Sequence, residues 1–162
     1  MLPNLRVGSG FDVHAFCSGR KCIIGGVEIP HDKGLAGHSD ADVLIHSIID
    51  SLLGASGLGD IGRLFPDTDD SFKNISSMIL LEKTAENLFS EKWRIINIDN
   101  VIVCQEPRIS LYSDKMKKNI SEILKISTDL VSIKGKTTER LGFTGRDEGI
   151  AVFSTALLFR ED

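Results

Sequence analysis

Asp12 and His14 put a carboxylate and an imidazole two positions apart in the run Arg6-Val7-Gly8-Ser9-Gly10-Phe11-Asp12-Val13-His14. Read as a strand, the run sends Arg6, Gly8, Gly10, Asp12 and His14 to one face. Same-face neighbours lie about 7 Å apart along a strand, so two such side chains can converge on one small ion. The glycines then leave room for a ligand beside it. Val7, Ser9, Phe11 and Val13 form the other face, which suits a core. His46 is the natural third ligand, in a segment that reads as a helix, four residues after Asp42 and four before Asp50. Either carboxylate could accept the proton of the ring nitrogen that does not bind metal. Two imidazoles and one carboxylate with an open position form a recurring catalytic zinc set. A single histidine on a helix also reads as a surface or satisfied core residue, and Asp42 as no more than a helix cap.

Further polar clusters could serve a ligand. Asp60-Ile61-Gly62 and Phe65-Pro66-Asp67-Thr68-Asp69 combine carboxylates with flexible backbone that could hold hydroxyls and phosphate, or simply make turns. Lys136-Thr137-Thr138-Glu139 offers an ammonium, two hydroxyls and a carboxylate able to hold a hard cation such as Mg²⁺; a strand end and capped turn explains it equally. Asp12, Asp40, Asp42, Asp60, Asp67, Asp69 and Glu139 would repel a polyphosphate, with only Lys136, Arg140 and Arg146 nearby to offset them. Divalent cations must therefore act as charge bridges if the ligand is a polyphosphate. Gly8-Ser9-Gly10 is not a dinucleotide fingerprint, because Val13 stands where the third glycine belongs.

The elements that must position these groups follow from periodicity. Strands are expected over 5–15, 93–104, 131–136 and 150–159, the last nearly continuous in apolar residues and so buried on both faces. A hairpin turns at Gly25-Gly26 within 22–29. A helix begins near a capping box of Ser39 and Asp42 and runs to Gly54. A second covers Asn74 to Lys92, and a third Ser110 to Lys125 with Leu111, Ile120 and Leu124 inward. The interleaving implies a layered α/β arrangement.

Composition narrows the function classes. The 162 residues suit one domain, 1–162, and the 41% hydrophobic and 26% charged content is that of a soluble globular protein. A net charge of −4 provides no basic field for nucleic acid or an anionic membrane. No apolar run approaches spanning length and no signal-peptide core leads the chain, so a cytoplasmic protein is expected. Cys17, Cys22 and Cys104 have no zinc-ribbon spacing and read as small, half-buried thiols.

The run 6–14, Gly37-His38-Ser39-Asp40-Ala41-Asp42-Val43, Leu58 to Asp69, Thr137 to Arg146 and Glu148-Gly149-Ile150-Ala151 occur in an order and spacing that resembles the 2-C-methyl-D-erythritol 2,4-cyclodiphosphate synthase family. The resemblance spans almost the whole chain. It implies an α/β (α+β layered) fold: a mixed four-to-five-stranded sheet, about three helices packed on one side, and sheets facing inward in a homotrimer. The implied reaction converts 4-diphosphocytidyl-2-C-methyl-D-erythritol 2-phosphate to the cyclic diphosphate and CMP, in non-mevalonate isoprenoid biosynthesis. Residue by residue, the resemblance implies zinc, one per subunit, on Asp12, His14 and His46. Mg²⁺ or Mn²⁺ would accompany the substrate diphosphate on Glu139, and His38 and Thr137 would stabilise the transition state. Substrate would meet Asp12, Val13, His14, His38, Ser39, Asp60, Ile61, Gly62, Phe65, Pro66, Asp67, Thr68 and Asp69. Across a subunit interface it would meet Cys104, Gln105, Glu106, Pro107, Arg108, Ile109, Ser110, Lys136, Thr137, Thr138 and Glu139, and Phe143 and Arg146 would also bind it. Arg146 and Glu148 match positions lining a central channel that takes an isoprenoid diphosphate. Ala41 stands where the family often has glycine, and Asp147 where it can have glycine. A zinc phosphohydrolase using water at the same ligands, and a noncatalytic isoprenoid-diphosphate-binding trimer, are the rival readings.

Overall fold

The computed structural model describes residues 4–66 and 68–161; Asp67, one of the expected substrate contacts, lies outside the described residues. The chain runs β1 (Leu5–Cys17), β2 (Cys22–Ile24), β3 (Val27–Ile29), β4 (Gly34–Leu35), α1 (Val43–Ser56), α2 (Ile61–Leu64), α3 (Ser77–Ser90), β5 (Trp93–Val103), α4 (Ser113–Leu124), β6 (Val131–Lys136), α5 (Gly142–Gly145) and β7 (Gly149–Arg160). Five strands form one mixed sheet in the order β4-β1-β7-β5-β6, with β5 and β6 parallel and the other pairs antiparallel. The β2–β3 pair is a separate hairpin turning at Gly25-Gly26, whose φ values of 60° and 67° are left-handed and favour glycine. Of the five helices, α1, α3 and α4 are long and α2 and α5 are single turns.

The faces of the sheet are assigned against expectation. Gly8 and Gly10 are buried, while Val7, Phe11 and Val13 are exposed. The reason is α1, which crosses β1 so closely that a Cβ on Gly10 would stand 1.9 Å from the carbonyl oxygen of Ser47. One on Gly8 would stand 2.0 Å from that of Ser51. The glycines make room for helix backbone rather than for a ligand. Nor is β7 buried on both faces: Ile150, Val152, Ser154, Ala156 and Leu158 point to the helices, whereas Phe153 is 51% exposed on the open side. Phe11 and Phe153 are register partners there, with ring centroids 4.6 Å apart.

Helix boundaries shift for identifiable reasons. The cap of α1 is Asp42 itself, not Ser39: its carboxylate accepts the Ile45 N–H at 3.2 Å and also the N–H groups of Gly25 at 2.9 Å and Gly26 at 2.7 Å. It thereby ties the hairpin to the helix. The capping side chain of α3 is Ser76. A 3-10 turn over Ile109–Leu111 precedes α4, which leaves Leu111 71% exposed while Met116, Ile120 and Leu124 are buried. Ala41 and Asp147, the two positions where the resemblance led to an expectation of glycine, have left-handed φ of 59° and 55°. That backbone suits glycine best.

Candidate metal centre and its clefts

Asp12 and His14 project from the helix-facing side of β1, and His46 projects from the first turns of α1, directly before the Ser47 carbonyl that packs on Gly10. The close crossing therefore brings them together. Asp12 Oδ2 lies 3.0 Å from His14 Nε2 and 3.3 Å from His46 Nδ1, and the two ring nitrogens are 3.1 Å apart. Tetrahedral ligand atoms on a zinc-sized cation stand about 3.3 Å apart. Among the described residues these three are the one group of three or more His, Cys, Asp or Glu side chains so arranged.

The donor chemistry fits a cation. Asp12 Oδ1 accepts the Val13 N–H at 2.9 Å, whereas buried Oδ2 has no hydrogen-bond partner outside the two imidazoles. His14 Nδ1 lies 2.7 Å from the Ala36 carbonyl, which can only accept, so Nδ1 carries the hydrogen and Nε2 presents its lone pair. Burial alone would raise the Asp12 carboxyl, but the His14 and His46 hydrogen bonds and charges hold it below the usual carboxylate range. Burial of His14 works to lower its pKa, and the bond and charge of Asp12 prevail and raise it.

The second nitrogen of His46 does not meet Asp42 or Asp50, as the helical spacing suggested. Asp42 is occupied by three N–H donors, and Asp50 accepts the Ile61 N–H at 2.8 Å. His46 Nε2 instead faces two hydroxyls, Ser77 Oγ at 2.9 Å and Ser39 Oγ at 3.0 Å. Sequence reasoning missed Ser77, which lies beside a capping serine and carries no periodic signal.

A cleft of about 300 Å³ opens on this centre, lined by His14, His38, Ser39, His46, Ile61, Gly62, Phe65, Phe72 and Leu80. Asp60 caps α2 through the Arg63 N–H at 2.8 Å. Thr68 and Asp69 are exposed, with Pro66 half-buried. A second cleft of about 620 Å³ is lined by Cys104 to Ser110, Lys136 and Thr137, together with Pro30 and His31. The two clefts share no lining residue. Thr137 donates to Glu139 Oε1 at 2.6 Å, and Thr138 bonds the Leu141 carbonyl and Thr144 hydroxyl. Phe143 is partly exposed at α5. Val13 points away from the centre on the open sheet face. Arg146 pairs with Glu148 at 2.8 Å and 3.2 Å, both exposed.

Fold and site define an α/β protein with an open three-ligand centre suited to a divalent cation. The YgbB family model matches residues 5–159. A 2-C-methyl-D-erythritol 2,4-cyclodiphosphate synthase from Caldicellulosiruptor bescii is 56% identical over 153 residues, covering 94% of this chain and 98% of that one. The bifunctional IspDF from Campylobacter jejuni resembles it with a TM-score of 0.95 and 43% identity, over 99% of this chain and 44% of the larger one. The present chain thus spans less than half of that protein. A CDP complex of IspF from Plasmodium falciparum gives a TM-score of 0.87 and 34% identity over the full length of both chains. The chain belongs to the YgbB family, the lyase family of the 2-C-methyl-D-erythritol 2,4-cyclodiphosphate synthases. No helix among the described residues is long and apolar enough to cross a membrane.

Proposed function

We propose that this chain, as a single catalytic domain over 1–162, cyclises 4-diphosphocytidyl-2-C-methyl-D-erythritol 2-phosphate to 2-C-methyl-D-erythritol 2,4-cyclodiphosphate in the cytoplasm, with release of CMP. The observation that carries the reading is the convergence of Asp12 Oδ2, His14 Nε2 and His46 Nδ1 at the wall of the His38–Ser39 cleft. An oxygen of the 2-phosphate forms a bond to the β-phosphorus, and the bond from that phosphorus to the bridging oxygen breaks, with its electron pair leaving on CMP. The nucleophile is already ionised, so no strong general base is required. What the protein must do is bend the substrate for in-line attack, which contributes about 7–11 kcal/mol in well-aligned intramolecular cases.

When bound, zinc on Asp12, His14 and His46 would supply Lewis-acid polarisation of the attacked phosphoryl group, and Mg²⁺ or Mn²⁺ on Glu139 charge neutralisation at the diphosphate. His38 and Thr137 would stabilise the charge that develops in the transition state, Thr137 by turning its hydroxyl from Glu139 to the diphosphate, with Ser39 beside His38. Asp60, Ile61, Gly62 and the loop 65–69 hold the erythritol and its phosphate. The segment 104–110 with Lys136 to Glu139, Phe143 and Arg146 receives the cytidine diphosphate; the CDP bound in the Plasmodium falciparum relative supports a nucleotide ligand. Because the metal cleft and the 104–110 cleft share no residue, a site completed between neighbouring subunits fits best. The exposed apolar face of Val7, Phe11, Val13 and Phe153 supports a homotrimer whose sheets face inward. Arg146 and Glu148 would line its central channel, where an isoprenoid diphosphate would have to compete with Glu148 for the guanidinium.

Incubation of the metal-loaded protein with the substrate, followed by phosphorus NMR, tests the reading. The synthase conserves both phosphates of the erythritol in a ring and releases CMP. An open-chain erythritol carrying two separate phosphate monoesters, formed when water in place of the 2-phosphate attacks the β-phosphorus, would mark a hydrolase, and tight binding of an isoprenoid diphosphate with no CMP a noncatalytic trimer.

A further inference from the structure

The Ser77 hydroxyl is fully buried at the N-terminus of α3 and touches both His46 and Asp40. Asp40 Oδ1 accepts the Ser77 hydroxyl in a short bond, and Asp40 Oδ2 accepts the Ser77 backbone N–H at 3.0 Å. An ionised carboxylate only accepts, so the hydroxyl hydrogen of Ser77 points at Asp40. Its oxygen therefore offers His46 Nε2, at 2.9 Å, nothing but lone pairs. Nε2 then donates its ring hydrogen to Ser77, the nearer of the two hydroxyls it faces, while Ser39 Oγ, 3.0 Å from Nε2, turns its own hydrogen to Ser77 Oγ at 3.3 Å. That leaves Nδ1, the nitrogen 3.3 Å from Asp12 Oδ2 and 3.1 Å from His14 Nε2, with its lone pair free.

We propose that Ser77 and Asp40 are positioning residues that fix His46 as the Nε2–H tautomer and so keep Nδ1 available to a divalent cation. The proposal rests on the metal reading above and adds residues to it that are not ligands. The relay parallels the one on His14, where the Ala36 carbonyl at 2.7 Å forces the hydrogen onto Nδ1. Two acceptors that cannot donate thus turn both imidazole lone pairs towards the unpartnered Asp12 Oδ2. A connection also follows between ligand and loop. The Asp40 N–H donates to the Ile75 carbonyl at 3.0 Å and the Asn74 N–H to the His38 carbonyl at 2.9 Å. The loop carrying His38 is therefore stitched to the start of α3 beside the serine that orients His46.

The test compares wild-type chain, Ser77→Ala and Asp40→Asn in two measurements. Long-range ¹H–¹⁵N NMR of the metal-free protein, at a pH where His46 is neutral, reads the tautomer. Competition for Zn²⁺ with a chromophoric chelator reads affinity. Loss of an outer-shell partner of this kind weakens metal binding about 10–100-fold. We expect that loss in both variants, with a shift of His46 towards the Nδ1–H form, while far-ultraviolet circular dichroism stays native. A purely structural role would lower the melting temperature and leave tautomer and Zn²⁺ affinity as in wild type, and that result would overturn the proposal. Should Ser77→Ala fail to fold, Asp40→Asn decides alone. A wild-type chain that took no Zn²⁺ would sink the metal reading, whereas wild-type His46 found as Nδ1–H without metal would sink this proposal independently.

Discussion

Gly10→Ala should damage fold and metal site together. The added Cβ would stand 1.9 Å from the Ser47 carbonyl oxygen and 2.9 Å from Ser51 N, both backbone atoms that no rotamer change can move. Restoring the first contact to 3.0 Å, the shortest spacing real Cβ atoms tolerate, requires α1 to retreat by 1.1 Å (3.0 − 1.9). Overpacking of this sort costs about 1–3 kcal/mol, occasionally more, and here the upper end applies because a whole helix must shift. The chain should still fold, since domains have about 5–15 kcal/mol to lose. His46 sits one residue before Ser47, whereas Asp12 and His14 stay on β1, so the retreat opens ligand spacings of 3.1 Å and 3.3 Å. Metal sites accept errors of only about 0.2 Å. Urea unfolding should show a midpoint lowered by the equivalent of about 3 kcal/mol at unchanged slope, and zinc competition a loss of at least tenfold. A Gly10→Ala protein with wild-type midpoint and zinc affinity would refute the claim that close helix–strand packing builds the centre.

His46→Ala should abolish stoichiometric zinc and reduce CMP release to background while the circular dichroism spectrum stays native; equal zinc content and turnover would contradict the ligand role. Phe153→Glu places a carboxylate in the centre of the open sheet face, beside Phe11. Light scattering should then give the mass of one chain, against the three of the proposed wild-type trimer, and a variant that stays at three would show that this face does not hold subunits together. Burial pushes the Cys22 thiol up to about 11, and burial with the neighbouring negative groups pushes Cys104 up to about 12. Thiolate forms only as pH rises towards those values, so at pH 8 Cys22 is about 0.1% thiolate and Cys104 less. Iodoacetamide at pH 8 should modify half-buried Cys17 alone in the native protein and all three cysteines after unfolding. Three fast-reacting thiols in the native chain would contradict it.

Much of the fold was legible because period-two and helical patterns survive in the sequence. The same-face placement of Asp12 and His14, the turn at Gly25-Gly26 and the bounds of β6 follow from residue order alone. The buried face of β1 did not, because Val7, Phe11 and Val13 look like core to any hydrophobic count. Only the crossing of α1 reveals that Gly8 and Gly10 mark the packed side. In β7 both faces are apolar, so alternation was hidden and the open side invisible. At the centre, Asp12, His14 and His46 could be grouped as candidate ligands from residue type and position, and the structure brings them together. The partner of His46 could not, because Asp42 and Asp50 stand at helical distance, whereas the contact falls to Ser77, 31 residues away. Asp67 stays an expectation from the sequence.

Anomalous X-ray scattering at the zinc edge, from crystals of protein grown with the metal, tests the central claim most directly. One zinc per subunit should appear within about 2.0–2.2 Å of Asp12 Oδ2, His14 Nε2 and His46 Nδ1. A zinc peak elsewhere, or none in this triangle in protein that releases CMP, would contradict the account.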